Sequence, residues 1–235
     1  MKHTQGLADE RKYDTFMVYW FQVYPYSKLF LSERQETMTT VEQPSMVIPA
    51  DRVPGPVQGR WTYNDYANLP DDGHRYEIIN GVLYMAPSPS WSHQRIVGEI
   101  FAHLRTHIKL AGLGQVFMAP LDVELADNTV FQPDIVVLLN ESLGKLKGHH
   151  IVGAPDLVVE IASPSSSTYD RHNKLQAYAR AAIPEYWIVD PVAHTVEVWV
   201  WEAGSYRARG IFQGKMLLPS QVVPHFPVSV EQFFL

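Results

Sequence analysis

Phe131–Leu139 reads FQPDIVVLL, Pro155–Ser165 reads PDLVVEIASPS, and Tyr169–Pro191 reads YDRHNKLQAYARAAIPEYWIVDP. The order is apolar strand, apolar strand, helix, apolar strand. Asp134 stands at the start of the first strand, Glu160 near the end of the second, and Lys174 on the helix. From Asp156 to Ala162 the side chains alternate. Leu157, Val159 and Ile161 face one way, while Asp156, Val158, Glu160 and Ala162 face the other. Glu160 is the one charge late in an otherwise apolar strand. A lone buried carboxylate costs several kcal/mol unless it is paired or bound to a cation. Asp134, on the preceding strand, is placed to share a cation with it; the alternative is a structural salt bridge from Glu160 to Lys174 or Arg171. Two strand-borne carboxylates with an ammonium nearby suit magnesium-assisted phosphodiester chemistry.

Working outward, Ser90 to about Leu110 reads as a long helix. Ser90 is the N-cap, Val97, Ile100, Phe101, Leu104 and Ile108 share one face, and Gly112 and Gly114 stop it. His93 lies in line with that face, as a hydrogen-bonded core residue or as a cleft-lining one. RYEIIN and GVLYMAP form a hairpin joined by Asn80-Gly81. Glu77 alternates there with Tyr76 and Ile78, so an exposed strand glutamate is the default and a further cleft carboxylate the alternative. Thr62-Tyr63-Asn64-Asp65 caps a short helix ending near Leu69. QVFMAPLDVEL, TVFQPDIVVLL and DLVVEIA read as strands, and the second helix spans about Tyr169 to Ala182. EYWIVDP and TVEVWVWEA are the last strands. This order predicts a mixed α/β sheet and not a doubly wound one.

Several residues have plainer readings. Lys174 follows Asp170 by four, a spacing that also gives a solvated pair; otherwise it points into a cleft beside Glu160. Asp134, after Pro133, also reads as turn chemistry at a strand start, and Asp156, after Pro155, reads as structural. Lys145, Lys147, His149 and His150 form a local basic cluster, read as a solvated loop in preference to a phosphate contact.

The chain has 235 residues, 46% of them hydrophobic, and 19% are charged. That accommodates one substantial core with an extra arm. It has no cysteine, which excludes disulfides and thiolate zinc sites and fits a cytoplasmic location. A net charge of −6 argues against a general basic DNA-binding surface. The aromatic segment TFMVYWFQVYPYSKLFL, 17 residues long and broken by Gln22, Pro25 and Lys28, is too short to span a membrane. MTTVEQPSM, from Met38, reads as a natural N-terminus with residues 1–37 upstream of the true start; the alternative is an arm that docks. Prolines 44, 49, 54 and 56 mark a linker or extended arm.

Together, WTYNDYANLPDDGHRYEIINGVLYMAPSPSWSHQRI (Trp61–Ile96), QPDIVV (Gln132–Val137) and the stretch Pro155–Pro191 closely resemble the Uma family of restriction endonucleases, within the PD-(D/E)XK nuclease superfamily. The resemblance covers roughly residues 60–235. Residues 1–59 form the N-terminal extension and proline-rich linker outside it. It implies a restriction-endonuclease-like α/β fold, a central mixed sheet flanked by the two long helices. It implies a Mg2+- or Mn2+-dependent DNA endonuclease of bacterial type, with Asp134, Glu160 and the Ile161 carbonyl on the metal. Glu77 and His93 match residues bordering the same cleft. The superfamily's usual lysine position is Ala162 here, and Lys174 matches a lysine supplied from the following helix. DNA is the implied partner, and a homodimer could assemble the basic groove the net charge lacks. The rivals are a catalytically inactive nuclease-fold module that binds nucleic acid or a protein, and a hydrolase of small phosphoesters.

Overall fold

The computed structural model describes residues 47–163 and 170–235. The expected start at Met38 and the segment before it lie outside them. The chain forms β1 (Ile48–Pro49), α1 (Tyr63–Ala67), the hairpin β2 (Arg75–Ile79) and β3 (Val82–Ala86), then α2 (Trp91–Leu104), which continues to Lys109 as a wider turn. Next come β4 (Gly114–Met118), β5 (Val123–Ala126), β6 (Thr129–Phe131), β7 (Ile135–Leu139), β8 (Leu146–Lys147), β9 (His150–Val152) and β10 (Leu157–Ile161). α3 (Leu175–Arg180) precedes β11 (Glu185–Asp190), β12 (Thr195–Glu202) and β13 (Ser205–Gln213).

The mixed class is as expected, but the strands divide into two sheets instead of one. The first has the order β13-β12-β11-β10-β7-β4, and the second β1-β3-β2-β6-β5-β9-β8. Among the described residues only β10–β11 and β5–β9 pair in parallel. Proline explains the division. Pro120 interrupts QVFMAPLDVEL between β4 and β5, and Pro133 interrupts TVFQPDIVVLL between β6 and β7. A proline offers no N–H to a ladder. Each run therefore leaves one sheet at its proline and enters the other.

The alternation along β10 sorts its side chains between two helices. Leu157, Val159 and Ile161 pack with Val97, Ile100 and Leu104 of α2. Val158 and Ala162 pack on the opposite face with Ala177 and Tyr178 of α3. Burying each such aliphatic side chain contributes about 1.5–3 kcal/mol. The second helix is shorter than expected. Its regular part is six residues, after a wide turn over Asp170–Lys174. Ala182, at φ 55°, turns the chain toward β11.

The proline-rich stretch, where described, lies on the second sheet as an arm. β1 pairs with β3, and Trp61 is buried with Ala50, Tyr76 and Leu83. Among the described residues no helix is long and apolar enough to cross a membrane.

Candidate active site

The register of β7 against β10 ends at Ile135 opposite Val159. One step further, Asp134 stands across from Glu160, where the two strands part. The parting leaves the Ile161 N–H to donate to Asp134 Oδ2 at 2.8 Å instead of to the ladder. His93 Nε2 lies 3.0 Å from the same oxygen. His93 reaches it from the first turn of α2, where Ser90 Oγ accepts the His93 N–H at 3.2 Å. With Nε2 donating to a carboxylate, Nδ1 is the remaining ring nitrogen, and it is buried without a hydrogen bond among the described residues. Burial is the largest influence on the Asp134 carboxyl and pushes it up. The hydrogen bond and charge of His93, the Ile161 N–H and the charge of Lys174 together outweigh burial and hold it below the ordinary aspartate value. Asp134 is therefore an ionised, buried carboxylate.

The second half of the site is centred on Lys174, which is 6% exposed. Its Nζ is 2.9 Å from Glu160 Oε1 and 3.1 Å from Glu77 Oε1. Tyr178, one helical turn after Lys174, donates its hydroxyl to Glu160 Oε1 at 2.7 Å. The Gln132 N–H donates to Glu77 Oε1 at 3.2 Å. Lys174 Nζ also sits 5.7 Å from the centre of the Phe131 ring, within cation–π range. Two carboxylates, one ammonium and several N–H and O–H donors thus share one buried place, the arrangement that makes burying charge tolerable.

All five expected side chains come together. α2 packs on one face of the first sheet and α3 on the other, so His93 and Lys174 approach the strand ends from opposite sides. Glu77 is not an exposed hairpin residue; it is 4% exposed. Lys174 makes a buried ion pair instead of a solvated one. Ala162 accounts for the unusual origin of the lysine. It is buried against Tyr178 and Phe131, so helix α3 fills the space a lysine at that position would need, and the helix supplies the ammonium itself.

Two contributors escaped the sequence reading as site residues. Tyr178 carries no mark of a site residue in the helix sequence, although its spacing of four from Lys174 puts both on one helix face. Gln132 stood unremarked before Pro133. Of the plainer readings, Asp156 is structural as expected, whereas Lys145 and His150 of the basic cluster are half-buried and paired within the protein rather than solvated. Asp156 accepts from the Leu139 N–H at 2.7 Å and the Ser142 hydroxyl at 3.0 Å. His150 pairs with Glu124 at 3.1 Å, and Lys145 with the Ala154 carbonyl at 2.5 Å.

A family model, Uma2, described as "Putative restriction endonuclease", matches residues 63–231. The chain belongs to the Uma2 family. The match contains all five side chains of the cluster. The crystal structure of "a putative nuclease belonging to DUF820" from Anabaena variabilis is similar at 23% identity, over 74% of this chain and 97% of that one, with a TM-score of 0.61. That likeness is one of fold, and it agrees with a restriction-endonuclease-like core in this Uma2 protein. No curated protein matches the chain.

Proposed function

We propose that this Uma2 protein is a metal-dependent DNA endonuclease that hydrolyses phosphodiester bonds. The observation that carries the reading is the convergence of Asp134, Glu160 and Lys174 at the parting ends of β7 and β10. Their family and the fold of the Anabaena protein support it.

The residues fit a hard divalent cation. Both hydrogen bonds to Asp134 fall on Oδ2, and its Oδ1 has none among the described residues. Asp134 is ionised, and Glu160 lies opposite it. No ready cage of three or more His, Asp or Glu side chains exists among the described residues. Two carboxylates with water and substrate oxygens completing the shell are what Mg2+ or Mn2+ takes. Asp134 and Glu160 would hold the ion, with the Ile161 carbonyl as third ligand. When bound, the ion supplies Lewis-acid polarisation of a phosphoryl oxygen and acidifies a water molecule.

The protein's own groups do the rest. His93 fixes the Asp134 carboxylate, Tyr178 fixes Glu160, and Glu77 holds Lys174 in reach. Lys174 orients the attacking water or offsets charge that builds on the phosphoryl group. A homodimer would bring a second surface to the DNA, which a chain of net charge −6 needs. The lack of cysteine suits a cytoplasmic setting.

One observation favours the rival, a catalytically inactive module that binds nucleic acid or protein: Lys174 is already engaged by two carboxylates. Cleavage of supercoiled plasmid with Mg2+ or Mn2+ separates the two. The endonuclease predicts nicking by wild type that is lost in Asp134→Asn and in Lys174→Ala. Loss in Asp134→Asn alone removes the role of Lys174. No cleavage with either metal leaves the binding module.

A further inference from the structure

A cleft of about 470 Å³ opens beside the cluster, lined chiefly by Tyr66, His74, Arg75, Tyr76, Asp122 and Gln132. Its volume falls in the range of small-molecule sites. Gln132 joins it to the cluster. Its backbone N–H holds Glu77, while its side chain belongs to the cleft wall. There Gln132 Nε2 donates to the Tyr66 hydroxyl and to Asp122 Oδ1, both at 2.9 Å. Asp134 comes two residues later. The Ala119 N–H, next to lining Pro120, donates to the Asp134 carbonyl at 3.1 Å. The cleft and the carboxylates are thus built on the same strand ends.

The internal bonds leave a particular remainder. Tyr66 donates its hydroxyl to Asp122 Oδ1 at 2.8 Å, so both side-chain bonds to Asp122 fall on that oxygen. Asp122 Oδ2 accepts none among the described residues. Arg75 uses Nε and Nη2 on the Gln132 side-chain and backbone oxygens, at 3.4 and 3.2 Å. Arg75 Nη1 has no hydrogen-bond acceptor among the described residues. One acceptor, one cationic donor, an imidazole and phenol rings therefore remain around the space. Against the single guanidinium of Arg75, Asp71 and Asp122 leave the lining net negative, which disfavours a phosphate chain and spares a neutral ring.

We propose that this cleft receives one unpaired nucleobase of the strand being cut. The ring lies against Tyr66 and His74, an amino or ring N–H donates to Asp122 Oδ2, and a ring carbonyl accepts from Arg75 Nη1. Aromatic stacking with edge hydrogen bonds is how single-stranded and extruded bases are held. A paired base cannot enter, so the preferred substrate is single-stranded or locally unpaired DNA. The inference rests on the nuclease reading of the adjacent cluster, and Gln132 ties an occupied cleft to Glu77 and hence to Lys174.

The test is binding, without cleavage. Fluorescence anisotropy with the full chain in EDTA compares a short labelled single strand with its duplex. The single strand is expected to bind at least about tenfold tighter, and Arg75→Gln and Asp122→Asn each to weaken it about tenfold, as loss of one good edge contact does. Equal binding of strand and duplex, or folded variants that bind like wild type, overturns the proposal. For variants that do not fold, a 5-iododeoxyuridine single strand is photo-crosslinked to the wild type and the adduct mapped by mass spectrometry. Adducts at Tyr66, His74 or Tyr76 support the cleft; adducts confined elsewhere overturn it. A chain that crosslinks in the cleft yet never nicks plasmid loses the nuclease reading and, with it, the cut strand, and keeps only a cleft that binds an unpaired base. A chain that nicks plasmid but shows no strand preference loses only this one.

Discussion

Lys174 Nζ lies 2.9 Å from Glu160 Oε1, although one residue is on a helix and the other on a strand, 14 positions apart in sequence. The same ammonium lies 3.1 Å from Glu77 on the second sheet. One cation, on the turn that leads into α3, therefore ties that helix to both sheets at the place where the carboxylates gather.

Lys174→Met keeps most of the side-chain volume and removes the charge. Glu160 and Glu77 then lose the ammonium they share. Breaking a buried pair in this way costs roughly 3–5 kcal/mol. Urea unfolding is expected to show that loss. Adding Glu77→Gln to Lys174→Met should recover part of it, because one of the two carboxylates that lost the ammonium is then neutral. Strictly additive losses in the double variant would mean that Lys174 and Glu77 are not coupled.

Asp134 makes stability depend on acid. Its carboxyl is held below the ordinary value of about 3.9 that the unfolded chain retains. The unfolded chain therefore takes up the proton first as pH falls. The stabilisation is complete above the unfolded value and is lost as pH drops through the lower, folded one. Wild-type unfolding free energy should fall more steeply below about pH 4 than that of Asp134→Asn. Parallel curves from pH 7 to pH 3 would contradict the depressed carboxyl.

How legible this was depended on whether local pattern or tertiary contact decided each feature. The alternation of Asp156–Ala162 gave the faces of β10 correctly, because period two is a property of the strand itself. Asn80-Gly81 and the Ser90 cap were equally local: Asn80 and Gly81 both take positive φ, as that hairpin turn requires. Glu77 was harder. Its alternation with Tyr76 and Ile78 is that of a half-solvated hairpin, and only the packing of Phe131 and helix α3 against it makes its face an interior one. The same holds for Lys174, whose spacing from Asp170 suits a solvated pair. The division into two sheets hung on Pro120 and Pro133, visible in the sequence but read as lying within continuous strands.

We expect the folded unit to include the arm from β1 onward, and so to extend ahead of residue 60. The Trp61 and Gly59 N–H groups both donate to the Gly81 carbonyl, at 3.0 and 2.7 Å, and Trp61 is 1% exposed. The full chain and a chain started at residue 47 both keep β1 and Trp61. One started at residue 62 loses Trp61 and β1, and should be less stable by at least about 3 kcal/mol, the low end for emptying a buried tryptophan site. Gly81→Ala probes the same contact. A Cβ there would stand 2.5 Å from the Gly59 carbonyl oxygen, at φ 76°. It should cost more than about 1 kcal/mol. Equal melting of all four proteins would detach the arm from the core.

Tyr178→Phe isolates a single hydroxyl. The ring is fully buried, edge-on to Phe131 and to Tyr186 with centroids 5.0 Å away in each case, and phenylalanine preserves that packing. The variant removes only the donor to Glu160 Oε1. Burial first, then the charge of Glu160, raises the Tyr178 phenol well above the ordinary tyrosine value. The hydroxyl therefore stays protonated and donating at any pH where the protein is handled. Its loss should cost about 1.5–3 kcal/mol, the range for a hydrogen bond to a charged group. Near-UV circular dichroism should be little changed. In a plasmid assay, Tyr178→Phe should slow nicking less than Lys174→Ala, because Lys174 still holds Glu160 from the same side. Equal loss in the two variants would make the hydroxyl, and not the ammonium, the group that sets the Glu160 carboxylate.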